Sequence, residues 1–406
     1  MIDDVLIRNL RDTGLTSFYI IDGDRFASNF KGLLGELNAI FPHFNVAYSY
    51  KTNYAPSLCK IVNELGGCAE VVSSMEYKLA LAIGVSHDKI IFNGPYKERQ
   101  FVYDILANGG SVNVDNIREL RDIYEYFNGK KTVNIALRCN YEACDGVLSR
   151  FGIDIESSEF ENCLEMIDKA DHLNLIGIHS HIANRGLDVW ADKVKGLCSL
   201  IEKYNLFGLS FVDFGGGLYG GMPEELKKQF PSYIPNFEEY GKTIATPIKE
   251  LFQKHPGEKV PQLLIEPGSA IVGDAMDFVA SVDSVKKIRG HFIATVTGSM
   301  YNINPTLNHK NPPIRVLHTS DFDPKDPNVY DIAGYTCIES DYLYKGYEGI
   351  LNVGDTIVFG NAGSYSIVLK PPFILPNFPI YQYYNGNLSL VKDGESFEDI
   401  FHTYKF

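Results

Sequence analysis

The sequence predicts an α/β protein: a (β/α)8 TIM barrel followed by a C-terminal β domain. Eight short β-rich runs alternate with helical periodicity over roughly 250 residues, the length of one such barrel. Each run closes on a polar or charged residue, in order Lys51, Glu70, Asn93, Asp115, Arg138, His181, Asp213 and Glu266. In a parallel barrel all the carboxyl ends open on one face, where such folds place their chemistry. A doubly wound open sheet is the competing architecture, and polar ends on all eight runs favour the barrel. Beyond about residue 272 helical periodicity fades, and β-rich runs stand between Pro-, Asn- and Asp-rich turns.

Taken in order, a short helix-like segment precedes Ser17–Asp22, a strand that completes the C-terminal β domain. Asp24–Leu37 has helical periodicity. Asn45–Lys51 is an apolar, β-branched and aromatic run, hence the first barrel strand, and Pro56 opens the helix after it. That helix stops at Gly66-Gly67. Ala69–Ser73 is the second strand and Met75–Ile83 a helix ended by Gly84. The remaining strands are Lys89–Asn93, Ser111–Asp115, Thr132–Arg138, Leu173–His181, Leu209–Asp213 and Gln262–Glu266. Helices fall at Glu98–Ala107, Arg118–Phe127, Glu159–Lys169 (capped by Ser157 or Ser158), Asp188–Tyr204 and Glu239–Lys254. The barrel is therefore expected over residues 24–272. Residues 1–23 join 273–406 in the β domain, with strands at Phe278–Val282, Phe292–Thr297, Ile314–His318 and Thr356–Phe359.

The 406 residues carry a formal net charge of -14, which disfavours nucleic acid or an anionic membrane as the main partner. The N-terminus lacks the basic and apolar regions of a signal peptide, and no apolar run is long enough to span a bilayer. Seven cysteines, odd in number and without a CxxC pair, indicate neither a disulfide framework nor a zinc site. The expectation is a reduced, cytoplasmic protein with no metal.

Lys51 at the end of a buried strand is costly unless its amine is used. It is either a lysine snorkelling to solvent or an amine of depressed pKa poised to form a Schiff base. Asp213-Phe-Gly215-Gly216-Gly217 follows the seventh strand, where such barrels bind phosphate, and its backbone N–H groups suit an anion. It matches neither GxGxxG nor a P-loop. Glu266-Pro-Gly268 ends the eighth strand with a carboxylate that needs a partner, and the protonated ring nitrogen of a cofactor is one. His181 offers a flat ring to stack on a heterocycle. Metal binding by His179 and His181 together is not expected. Lysine, glycine loop, histidine and carboxylate on one barrel face describe a site for pyridoxal 5'-phosphate.

Over nearly its whole length the chain resembles the fold-type III pyridoxal phosphate decarboxylases, the diaminopimelate and ornithine decarboxylase group with an alanine racemase-like barrel. The similar segments are Tyr48-Ser-Tyr-Lys51-Thr-Asn53, Ser149-Arg150-Phe-Gly-Ile153, Gly177-Ile-His-Ser-His181, Phe211–Gly217, Glu266-Pro-Gly268, Gly334-Tyr-Thr-Cys337-Ile-Glu-Ser-Asp341 and Ala362-Gly-Ser-Tyr365. The resemblance implies Lys51 as the Schiff-base residue, His181 stacked on the ring and Glu266 on the ring nitrogen. It also implies Glu70, Gly215–Gly217, Gly268, Ser269 and Tyr365 around the cofactor, and Arg150, Asn304, Asn308, Ile338, Glu339 and Asp341 around the substrate. Cys337, as catalytic acid, and Asp341 are expected from the partner subunit of a homodimer with shared active sites.

The departures bear on the substrate. Ser269 stands where the family has arginine, and Asn304-Pro305-Thr-Leu-Asn308 replaces an Arg-Pro motif ending in Tyr. Ile338 stands where an acidic residue reads the distal amine, with Glu339 one position along. A lost bidentate arginine removes a charge-assisted bond of about 1.5–3 kcal/mol. The implied activity is α-decarboxylation of an amino acid, or of a free or carrier-tethered intermediate, with altered recognition of the distal group. Racemisation or epimerisation is the alternative chemistry, disfavoured by a carboxylate at Glu266. A non-catalytic pyridoxal phosphate-binding protein is the other alternative, disfavoured by the β domain and Cys337.

Overall fold

The computed structural model describes residues 2–306, 310–319 and 326–406. Two compact units are present: Phe30–Gly220 with Ser232–Ala270, and Met1–Asn29 with Gly221–Pro231 and Ile271–Phe406. The N-terminal helix Asp4–Asp12 and strand β1 (Ser17–Asp22) belong to the latter.

The former unit is a closed barrel of eight parallel strands: β2 (Phe44–Ser49), β3 (Cys68–Val71), β4 (Ile90–Phe92), β5 (Ser111–Val114), β6 (Val133–Asn140), β8 (Leu173–His179), β9 (Phe211–Asp213) and β10 (Gln262–Ile265). Strand β5 pairs β6 and closes the ring, and the short β7 (Ile153–Asp154) hangs on β6. The strands are near-continuous apolar runs because helices cover their outer side while side chains fill the inside. Ala47, Ile91, Ala136, Phe211 and Leu264 form one such cluster. Gly177 is required in β8, since a Cβ there would collide with the Phe211 ring. Sequence-encoded caps set the helix starts: Ser73, Asn116, Ser157 and Asn236 accept from the N–H groups of Glu76, Glu119, Phe160 and Glu239.

The other unit is a β-sheet domain centred on β11 (Met276–Ile288), which pairs antiparallel with β1, β12 (His291–Val296) and β16 (Thr356–Phe359). Strand β13 (Ile314–Leu317) pairs β16, and β14 (Asn328–Ala333) and β15 (Tyr342–Gly349) extend the sheet beyond β12. On the opposite side β17 (Ile380–Tyr384) runs parallel to β1 and pairs with β18 (Asn387–Lys392). Ile7, Leu10, Phe18, Ile20, Val279, Leu317 and Val358 bury together, so the N-terminal residues are part of this core.

The compact units differ from the sequence boundaries of 24 and 272 in two places. The first turns of helix Gly23–Ile40 group with the sheet, because Asn29 Nδ2 donates to Ile271 O (3.0 Å) and Asp274 Oδ1 (2.6 Å), and Arg25 Nε to Asp274 Oδ2 (3.0 Å). Gly221–Pro231 also groups there, tied by reciprocal bonds between Gln229 and Asn311 of 3.0 and 2.8 Å.

Candidate active site

The mouth of the barrel is built where β2 stops. Strand β2 ends at Ser49, and Tyr50–Thr52 forms one 3-10 turn, with Ser49 N–H bonded to Pro267 O at 3.2 Å. Asn53 accepts from Tyr48 OH on its carbonyl (2.9 Å) and from Ala55 N–H on its side chain (3.1 Å). Pro56 then starts the next helix at a position where no N–H is needed. This turn aims Lys51 across the mouth. Its side chain is 36% exposed, and its ammonium is ion-paired with the fully buried carboxylate of Glu70.

Glu70 is one node of a polar network that crosses the strand ends. Ser49 Oγ donates to Glu70 Oε2 at 2.7 Å, and Asn93 Nδ2 donates to both Glu70 Oε1 (3.0 Å) and Glu266 Oε1 (2.5 Å). Asn113 Nδ2 orients Asn93 through its Oδ1 at 2.6 Å. His179 Nε2 meets Glu266 Oε2 at 3.4 Å. Burial opposes ionisation of Glu266, but His179, Lys51 and His181 outweigh it and hold the carboxyl well below the usual range. Burial and then Glu266 push its neighbour Asp213 the other way. A second pair, Arg138 and Asp115 at 3.6 Å, is separate from this network, with Asp115 also accepting from Gly152 N–H.

The glycine loop wraps His181. Gly215 N–H donates to Asp213 Oδ1 and Gly216 N–H to His181 Nδ1, both at 2.9 Å. Burial pushes His181 well below the usual histidine range, so the ring is neutral, with Nδ1 as acceptor and the proton on Nε2. A Cβ on Gly216 would lie 2.6 Å from Glu266 O, so glycine there lets the loop close onto the strand that carries Glu266. Gly268 is likewise pressed against Thr52, and Ser269 begins the short helix Ser269–Val272.

In the sheet unit, Cys337 and Glu339 are exposed and Ile338 half-buried. Asp341 is held by donors of the sheet unit itself. It is buried, and its carboxylate accepts from Ser299 Oγ (3.0 Å), Met300 N–H (2.8 Å), Thr336 N–H (3.2 Å) and Thr336 Oγ1 (2.6 Å). Two of the bonds come from Thr336 and two from Ser299 and Met300, so Asp341 ties the Cys337 turn to the Ser299–Met300 segment. Tyr365 sits in the left-handed region at φ 64°. Asn304 borders a cavity of about 300 Å³ whose other polar lining includes Lys310, Asn311, Ser340, Tyr342 and Lys345. Arg150 is exposed, its guanidinium 4.1 Å from the Phe151 ring. Asn308 lies outside the described residues.

Sequence reasoning missed Ser49, Asn113, His179 and Lys193 as members of the mouth. An Asn in the apolar run Ser111–Val114 was a signal for the second; Lys193 in a mixed helix gave none.

A family model for the pyridoxal-dependent decarboxylase, pyridoxal binding domain, matches residues 29–273. The chain belongs to the pyridoxal-dependent decarboxylase family. It is thus a pyridoxal phosphate-dependent carboxy-lyase acting on an amino acid. Diaminopimelate decarboxylase of Aquifex aeolicus is 27% identical over 98% of this chain and 94% of that one. The enzyme of the same name from Archaeoglobus fulgidus is 29% identical over 82% and 80%. In fold, the decarboxylase resembles crystalline diaminopimelate decarboxylase from M. jannaschii with a TM-score of 0.84 at 22% identity, covering 96% of this chain and 92% of that one. The arginine decarboxylase of Paramecium bursaria Chlorella virus gives 0.77 at 20% identity, covering 94% and 100%. Among the described residues no helix of the decarboxylase is long and apolar enough to cross a membrane.

The barrel mouth fits the family's cofactor. Asp213 Oδ2 and His179 Nδ1 are buried without a hydrogen-bond partner, a polar surface awaiting a ligand. The cluster of His179, Asp213 and Glu266, with ligand atoms within 4.8 Å of one another, lies inside this same mouth.

Proposed function

We propose that this decarboxylase removes the α-carboxylate of an amino acid whose tail does not end in a free amine. When bound, pyridoxal phosphate supplies the electron sink for the pair left behind by carbon dioxide. Lys51 is the amine that carries the cofactor, and Glu70 is the carboxylate that exchanges a proton with Lys51 Nζ. Glu266 holds a proton on the ring nitrogen, which keeps the sink strong and favours decarboxylation over racemisation. His181 would lie against the ring, while Gly215–Gly217, Gly268, Ser269 and Tyr365 would hold the phosphate. The observation that carries this reading is the Asn93 amide bridging Glu70 and Glu266. It locks the partner of Lys51 and the partner of the ring nitrogen into one network.

Cys337 returns a proton to Cα, from a second copy of the chain. Its exposure in one copy agrees with that, as does the exposed apolar run Leu369, Phe373, Ile374 and Leu375, which calls for a covering surface. Ile374 is held there with φ 67°, a strained conformation for a β-branched residue. Localisation in the cytoplasm accords with seven free cysteines.

The cavity beside Asn304 reads the tail. Among the described residues two lysines and no carboxylate line it, so an ammonium-tipped tail is repelled and a carboxylate or neutral polar tip accepted. Carbon dioxide release, followed over amino acids with amine, carboxylate and neutral polar tails, tests the proposal. Turnover is expected for the last two groups. Inversion at Cα without gas release, or a strict preference for ornithine or lysine, would contradict it.

A further inference from the structure

We propose that Lys193 is the cation that balances the phosphate group held by the glycine loop, acting from behind through the Gly216 carbonyl. The inference rests on the cofactor reading above. Lys193 lies on the inner face of helix Leu187–Lys203 and is 1% exposed. Its Nζ donates to Gly216 O at 3.2 Å and lies 3.1 Å from the centroid of the Trp190 ring. Trp190 Nε1 donates to the next carbonyl, Gly217 O, at 2.8 Å.

A trans peptide points its C=O and the following N–H in opposite directions. Drawing two successive carbonyls back toward the helix therefore turns the N–H groups of Gly217 and Leu218 outward. Among the described residues neither of these N–H groups makes a hydrogen bond. The loop thus presents two free donors in front and one buried ammonium behind, an arrangement suited to a dianion.

The ammonium lacks a dedicated counter-charge. The charged and titratable groups that face it are Glu266, Asp213 and His181. Glu266 is engaged with His179 and Asn93, Asp213 is pushed toward its neutral form, and His181 is neutral. Burial accordingly drives Lys193 well below the usual lysine range, against the pull of Glu266 and Asp213. An anion in front of the loop raises it again, so binding the phosphate group takes up a proton. The gain in affinity is full below the lowered value of the anion-free loop and is lost as pH climbs through the raised one, and proton uptake is confined to the interval between them.

The test compares pyridoxal 5'-phosphate with pyridoxal, which lacks the phosphate, binding to the full-length apoprotein. Calorimetry at pH 8 in two buffers of different ionisation enthalpy counts protons. The wild type is expected to take up more protons with pyridoxal 5'-phosphate than with pyridoxal. In Lys193→Met that difference disappears. The affinity ratio between the two ligands narrows by about 10- to 100-fold, the scale of a charge-assisted contact, while pyridoxal affinity is unchanged. A folded Lys193→Met protein that keeps the ratio overturns the proposal. So does equal proton uptake by the wild type with both ligands, which decides the matter even if the variant does not fold. A wild type that binds neither ligand removes the cofactor reading itself.

Discussion

Asp213 and Glu266 end or follow neighbouring strands of the barrel, and their side chains are driven in opposite directions inside one buried chamber. Burial and Glu266 push Asp213 up, whereas His179, Lys51 and His181 hold Glu266 down against the cost of burial. Neighbouring carboxyl groups of opposite tendency divide the work: one stays an anion, the other a hydrogen-bonding acid.

That division predicts different costs for two amide substitutions. Glu266→Gln removes the anion that keeps the ring nitrogen protonated and lowers kcat by at least about 100-fold. Asp213→Asn keeps the acceptor for Gly215 N–H and mimics the neutral acid, so kcat falls by no more than roughly 3-fold. Steady-state kinetics of the two variants decide it, and equal losses would show that both groups act as anions.

Glu76 predicts a pH effect on stability. It accepts from Val72 N–H at 2.7 Å, and its pKa is pushed up to about 7 by burial, with Glu70 adding and Val72 and Lys51 opposing. A raised carboxyl stabilises the fold below its unfolded value, 4.5, and that stability is lost as pH rises through 7. Glu76→Gln should match the wild type below pH 4.5 and exceed it at pH 8 by up to about 3 kcal/mol, following 1.36 kcal/mol per unit. Paired melting curves at the two pH values measure this; a variant less stable at pH 8 would refute it.

Asp341 satisfies four donors in the sheet unit, so Asp341→Ala leaves buried groups unpaired and costs about 2–4 kcal/mol. Exposed Glu339→Ala should change stability by less than about 0.5 kcal/mol. Chemical denaturation distinguishes the two. An Asp341→Ala protein of normal stability but impaired kinetics would contradict this and support its reading as a substrate contact.

If Cys337 serves a second copy, Lys51→Ala and Cys337→Ala are each nearly inactive alone. Mixed after dissociation, they regain about a quarter of wild-type activity, since random pairing makes half the dimers mixed, each with one intact site. Mixtures as inactive as the parents would place both residues in one chain's site.

The barrel was legible because strand-end polar residues are expensive in apolar runs unless the mouth uses them; Lys51, Glu70, Asn93 and Glu266 indeed meet there. Strands β14, β15, β17 and β18 were not legible. Runs such as Tyr342–Gly349 mix aromatic, charged and glycine residues, and only cross-strand pairing makes them strands. Lys193 was invisible for a related reason. A lysine in an amphipathic helix reads as solvated, and its burial depends on a loop over twenty residues away. Asp341 was found by motif, but its hydrogen bonds to Ser299, Met300 and Thr336 are a property of the folded turn and could not be read from the sequence.

The central claim is the covalent link at Lys51. Borohydride reduction of the purified yellow protein, followed by peptide mass spectrometry, should place a phosphopyridoxyl group on Lys51 and abolish turnover. A colourless protein after cofactor addition, or a label on any other lysine with Lys51 unmodified, would contradict the account.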